Sequence, residues 1–306
     1  MLGITGVQAQ SHRCATMEHH EMLLANDPEY AARRALIEAR TQEFASEYNP
    51  QSANRSVITI PVVFHVVYQN ATENISDAML LSQIDVLNDD YRKLNSNFSQ
   101  TPSAFQGVAA DMEIEFCLAT TDPNGATTTG ITRTQTSTSS FSDNDNVKRS
   151  NNGGHDPWNT SKYLNIWVCD LGNNLLGYAQ FPGGPAATDG VVVHYTSVGR
   201  PPANTFNTAY NLGRTATHEV GHWLNLYHIW GDDGGACNGS DQVSDTPNQA
   251  DANYGCPSYP HVSCSNGPNG DMFMNYMDYM DDDCATMFTN GQKTRSQSLF
   301  GAGGSR

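Results

Sequence analysis

At 306 residues the chain is long enough for one large domain with a full core, or for two smaller ones. Its formal net charge of -16 and pI near 4.8 leave no basic face for a phosphate backbone, which argues against a nucleic-acid partner and favours basic peptides. No apolar run approaches the roughly 18 residues that a membrane helix needs, so no membrane partner is expected.

The first residues, 1–9, read as the tail of a secretory signal, with Val7 and Ala9 placed as in a small-residue cleavage site. Seven cysteines, four of them between 237 and 284, suit an oxidising compartment, so the chain is expected to be secreted, extracellular or periplasmic. From Met17 to about Tyr48 the sequence is charged and Ala-rich, and Leu23, Leu24, Ala31, Ala35 and Ile37 can form one face of a short helix or two. The polar stretch NPQSANRS at 49–56 then marks a boundary. Beyond it, the β-branched run Val57–Tyr68 predicts a buried strand. Ser76 or Asp77 can cap a helix that places Leu80, Leu81, Ile84, Leu87 and Tyr91 at helical spacing. Further strands are expected at Met112–Ala119, Leu164–Asp170 and Gly190–Tyr195, with a Thr/Ser/Asn-rich loop over 121–154. The last 80 or so residues read as coil held by disulfides, and the whole as an α+β domain.

The chemistry concentrates between Thr215 and His228, TATHEVGHWLNLYH. His218 and His222 stand one helical turn apart, so both imidazoles can face one zinc ion, and Glu219 lies beside them as a base for water. A downstream Glu as third ligand is excluded by inventory, because no Glu follows position 219. His228 becomes the third ligand if the helix ends and the chain turns back. Metzincin peptidases end it with a glycine where this chain has Asn225, the next most tolerant residue of left-handed backbone. Three histidines with a free carboxylate leave an open coordination position, as catalytic zinc requires.

HEVGHWLNLYH at 218–228, followed by MNYMDY at 274–279, resembles the pappalysin family of metzincins, over a match running from about His12 to the C-terminus. The resemblance implies a metzincin-type zincin catalytic domain with a mixed twisted sheet, an active-site helix and a loop-rich, disulfide-pinned C-terminal subdomain. It implies hydrolysis of internal peptide bonds in protein or peptide substrates by a zinc endopeptidase that acts as a monomer. By motif, Met277 rather than Met274 becomes the methionine of the turn beneath the zinc, and Tyr279 a stabiliser of the oxyanion. The implied bridges are Cys237–Cys264 and Cys256–Cys284. Cys117 and Cys169, both in expected strands, could form a third or remain free thiols. Cys14 matches a prosegment cysteine that occupies the open zinc position and keeps the enzyme latent. The segment 241–249 resembles a calcium loop, with Asp241, Asp245 and Thr246 as oxygen donors. Asp283 is implied as the carboxylate selecting Arg on the primed side, with Asp281 and Asp282 as close neighbours.

These readings divide the chain into a signal remnant at 1–9, an inhibitory prosegment at 10–54 and a catalytic domain at 55–306, matured by autolysis between Asn54 and Arg55. Residues 220–306 carry ten Asp against Lys293, Arg295 and Arg306, which favours basic side chains in substrates. The rival is a secreted zinc- and calcium-binding module without turnover. The retained Glu219 argues against it, and the extended histidine motif with its methionine turn argues against a zinc amidase or deacetylase.

Overall fold

The structure, a computed structural model, describes residues 13–48, 56–301 and 304–306. The expected signal remnant and the expected cleavage point at Asn54–Arg55 lie outside the described residues. Two helices come first, α1 (Thr16–Asn26) and α2 (Tyr30–Glu47), where one or two were expected. Next is β1 (Ile58–Tyr68), whose β-branched run is almost continuously buried. Ser76 caps α3 (Asp77–Tyr91), its side chain accepting from the Met79 amide at 3.3 Å. A single turn, α4 (Ser103–Gln106), precedes β2 (Ile114–Leu118) and β3 (Ile131–Gln135). The rest of the sheet is β4 (Leu164–Cys169), β5 (Gly177–Ala179) and β6 (Val191–His194), followed by α5 (Arg214–Trp223) and α6 (Asn290–Gln297).

The strand order is β2-β1-β4-β6-β5, with β3 pairing β1 beyond the end of β2. All pairings are parallel except β5 with β6, so the sheet is mixed. A mostly parallel sheet has to be covered on both faces, which is why β1, β4 and β6 lack alternation with polar residues. Phe64, Val66, Ile166, Val168, Val191 and Val193 face the larger core with α3 and α5. Their neighbours Val67, Trp167 and Val192 face a second cluster that also takes Ala15, Phe141 and Tyr178.

Two strands were not anticipated. β3 lies inside the stretch read as loop, and β5 has only three residues; both owe their state to pairing with distant strands rather than to local propensity. Bridges Cys237–Cys264 and Cys256–Cys284 are present, interlocking over the loop-rich region. The possible third bridge is corrected: Cys117 and Cys169 are free, because β1 lies between their strands and holds them apart. Among the described residues no helix is long and apolar enough to cross a membrane.

Candidate metal centre

α5 starts at Gly213, in left-handed conformation at φ 82°, and buries every residue from Thr215 to Trp223. It closes with the Leu226 amide donating back to the Gly221 carbonyl at 2.9 Å, and Asn225 between them adopts φ 73°, the left-handed turn expected of it. The chain then doubles back, the Leu226 carbonyl accepting from His222 Nδ1 at 2.7 Å, and delivers His228 to the same spot. His218 Nδ1 donates to the Tyr276 carbonyl at 2.7 Å and His228 Nδ1 to Asp232 at 2.8 Å. With each Nδ1 engaged as a donor, each Nε2 carries a lone pair. His222 Nε2 lies 3.0 Å from His218 Nε2 and 3.1 Å from His228 Nε2. Three lone pairs at that distance repel unless a cation sits among them. Burial disfavours the charged forms of His218 and His222, holding His218 at about 3 and His222 well below the usual histidine range. The residues present therefore fit a divalent metal with nitrogen ligands.

A fourth donor is in place. Cys14 Sγ converges with the three histidines in a fully buried group, giving the one-sulfur, three-nitrogen set that tetrahedral zinc accepts. The same stretch of chain binds the base. Glu219 Oε2 accepts from Thr16 Oγ1 at 2.9 Å and from Cys14 Sγ at 3.4 Å, while Oε1, buried, has no hydrogen-bond partner among the described residues. Burial raises the Glu219 carboxyl to about 8, and burial together with Glu219 pushes the Cys14 thiol up. Residues 13–15 pair parallel with the sheet edge, Gly177 donating to the Arg13 carbonyl at 3.2 Å and Ala15 donating to Gly177 at 3.1 Å. Only glycine is tolerated at 177, since a Cβ there would meet Glu219 Cγ at 2.8 Å.

Beneath the helix, Met277 is fully buried and its sulfur fills the space that a side chain on Gly221, between His218 and His222, would need. Met274 is also buried, and its backbone carbonyl accepts from the Thr286 amide at 2.8 Å. Tyr279 stands against His228 and Trp230, with ring centroids 4.9 and 4.7 Å away, and its hydroxyl donates to the Cys14 carbonyl at 3.3 Å. Trp230 in turn lies flat on His228, at 4.2 Å and 8°.

A pocket beside this centre is lined by Tyr210, Arg214, Tyr279, Met280 and Asp282. Arg13 enters it: its guanidinium donates to the Tyr279 carbonyl, lies 3.6 Å from Asp281 and covers the Tyr210 ring at 4.4 Å. Asp283 is exposed and turned to the Cys256–Cys284 bridge, whereas Asp282 lines the pocket and Asp281 meets Arg13. Three successive residues of a tight turn project in three directions, so sequence alone could not choose among them.

Asp245 accepts from Thr289 Oγ1 at 2.6 Å and from the Gly291 amide at 2.9 Å, while Asp241 accepts from Thr246 Oγ1 at 2.7 Å. Sequence reasoning missed Arg13, Thr16 and Asp232. Of these, Asp232 was findable, four residues after His228 and acidic. A further buried group, Asp90 of α3, accepts from Thr217 Oγ1 at 2.8 Å and the Tyr276 hydroxyl at 2.7 Å, tying α5 to the turn that orients His218.

Comparison with known proteins places these features. The profile of the family described as pregnancy-associated plasma protein-A matches residues 147–300. An extracellular metalloprotease of Pyricularia oryzae is 33% identical over 297 residues, covering 94% of this chain and 88% of its own. Another, from Verticillium alfalfae, is 36% identical over 258 residues, covering 80% and 77%. Among solved structures, mature mirolysin of Tannerella forsythia in complex with a cleaved peptide aligns at TM-score 0.80 and 57% identity, covering 82% of this chain and 94% of that one. A promirolysin mutant from the same organism aligns at TM-score 0.86 and 51% identity, covering 94% of both chains.

Proposed function

The chain belongs to the pregnancy-associated plasma protein-A, or pappalysin, family of zinc metallopeptidases, and from that premise we propose that it is a secreted endopeptidase made as a latent precursor. The observation that carries the reading is the convergence of Cys14 with His218, His222 and His228 while Cys14 and Thr16 together hold Glu219. Coverage supports it too, rising from 82% of the chain with mature mirolysin to 94% with the pro-form. Residues 10–54 are the prosegment in this reading and 55–306 the catalytic domain, cut between Asn54 and Arg55. The extracellular relatives and the two disulfides support export.

Zinc, held by His218, His222 and His228, supplies a Lewis acid for water and for the scissile carbonyl. The protein does the rest. With Cys14 withdrawn, Glu219 loses its two prosegment donors, takes a proton from the attacking water and returns it to the leaving amine. The Tyr279 hydroxyl, released from the Cys14 carbonyl, donates to the substrate oxygen as charge builds there. The pocket that holds Arg13 supports a preference for Arg on the primed side, where Asp281 and Asp282 offer a guanidinium a forked partner that Lys cannot use as fully. Calcium at Asp241, Asp245 and Thr246 remains part of the proposal; burial raises the Asp241 carboxyl to about 7, a strain that a bound cation would relieve.

Glu219→Ala tests the assignment. Zinc content should stay near that of the parent while casein cleavage falls by about 100- to 10,000-fold. Cleavage within tenfold of the parent would leave a protein that binds zinc and uses some other base.

A further inference from the structure

Asn225 meets a left-handed backbone demand that glycine would meet without a Cβ, but it brings a side chain, and that side chain is fully buried. Both of its ends are taken by α2. Arg34 donates from Nη2 to Asn225 Oδ1 at 2.8 Å, and Asn225 Nδ2 reaches Thr41 Oγ1 at 3.5 Å. The Asn225 carbonyl accepts from Arg295 Nε at 2.6 Å, and Arg295 is itself held by Glu38 of α2 at 2.8 Å. Arg34, Glu38 and Thr41 stand at i, i+4 and i+7, one face of the helix. That face closes on the single residue that turns the chain from His222 to His228.

Arg34 is anchored through both terminal nitrogens of its guanidinium. It donates to the Tyr227 hydroxyl at 2.8 Å and the Pro182 carbonyl at 3.0 Å, and lies 4.9 Å over the Phe181 ring, whose centroid is 5.4 Å from that of His222. Arg33 adds a bond to the Gly183 carbonyl at 2.6 Å. The side chain is only 7% exposed, so removing it would leave several buried acceptors without a donor. None of these contacts involves Cys14 or the position it fills.

We propose that α2 is a second lock, a helix docked through Arg34 onto Asn225, which retains the cut N-terminal segment when Cys14 no longer holds it. The inference rests on reading 10–54 as a prosegment. A glycine at 225 would keep the turn and the metal ligands but abolish both handles. The asparagine is thus a receptor for the helix as well as a terminator of α5. Release then needs two separate events, withdrawal of Cys14 and undocking of α2, and cutting the connection alone achieves neither.

The test uses the full chain carrying Glu219→Ala, loaded with zinc, with a foreign protease recognition sequence replacing residues 50–55. After nicking, dissociation of the N-terminal fragment is measured by size exclusion over a dilution series. The Cys14→Ala chain is expected to keep its fragment at micromolar concentration. Arg34→Ala should weaken retention by about 10- to 100-fold, with Arg34→Lys in between, since Lys keeps the charge but loses the fork. Asn225→Gly should match Arg34→Ala, and the two together should do little more than either. Full release by Cys14→Ala alone, or unchanged retention in both Arg34→Lys and Asn225→Gly, overturns the second lock. A separate measurement addresses the prosegment reading: an uncut parent with native Glu219 that cleaves casein as fast as the nicked one defeats latency, while the dissociation constants still decide whether α2 docks on Asn225.

Discussion

The sheet and the segment from Gly231 to Thr289 both border the candidate metal centre, but they are ordered by different forces. β1 runs through the middle of the molecule with Val62, Val63, Phe64, Val66 and Val67 all buried, and presents apolar surface to a core on each face. The later segment contains almost no regular structure. Its order comes from buried polar groups and covalent ties: Asp278 accepts from the Asn253 amide at 2.7 Å and Gln249 at 2.8 Å, Asp271 from Ser263 at 2.6 Å, and two disulfides close loops of 27 and 28 residues. A hydrophobic layer tolerates small shifts, whereas a loop that must place Met277, Tyr279 and Asp282 within ångströms has to fix each turn separately. Directional bonds do that, at the expense of burying charge.

The contrast can be broken from the sheet side first. Phe64→Ala should destabilise the whole molecule by about 3 to 5 kcal/mol, read as a shifted denaturant midpoint with one cooperative transition. A loss below 1 kcal/mol would mean that the sheet core is not what holds the fold. Replacing Cys256 and Cys284 by Ser should cost about 2 to 4 kcal/mol, and the loss should be local. Hydrogen exchange should quicken over 250–285 and hardly change in β1 and β4; uniform loss of protection would erase the distinction between the two regions.

A pH series sharpens the same point. Burial raises Asp278 to about 6 and Asp241 and Asp282 to about 7, all above the usual carboxylate range. A group protonated in the fold but ionised when unfolded favours the folded state less as pH rises. In the metal-free protein, the stability of the later segment should therefore fall from about pH 4 to pH 7, by roughly 1 kcal/mol per pH unit for each such carboxyl. Asp278→Asn should flatten the part below pH 6. Protection that instead rises with pH would mean that these carboxyls are ionised in the fold. The smallest effect belongs to Leu94, 69% exposed: Leu94→Ser should shift stability by no more than about 0.5 kcal/mol, and a larger change in the melting curve would reveal a hidden contact there.

What could be read from residue order divides along the same line. β1 and α3 were legible because a buried parallel strand and a capped amphipathic helix each write a repeating pattern, Val57–Tyr68 in one case and Ser76 with Leu80, Ile84 and Leu87 in the other. His218, Glu219 and His222 were legible because helical geometry fixes their relation, and His228 because Asn225 can turn left-handed. β3 and β5 were not, since five and three residues carry too little pattern and their partners are distant in sequence. Nor was the choice among Asp281, Asp282 and Asp283, which depends on a turn set by Cys284 and by the bonds from the Leu212 and Arg214 amides to Asp282 at 2.8 and 3.2 Å. Arg13 went unnoticed beside the more conspicuous Cys14.

The flat contact between Trp230 and His228 gives the protein an optical gauge of its own. An indole stacked on the His228 imidazole feels any charge placed on that ring. Loading and stripping of the ion should alter the emission of Trp230 directly. Withdrawal of Tyr279 from the Cys14 carbonyl, with its ring 4.7 Å from the same indole, should alter it again. Filling of the centre and departure of the N-terminal segment could thus be followed as two separate fluorescence changes, without a substrate and without a label.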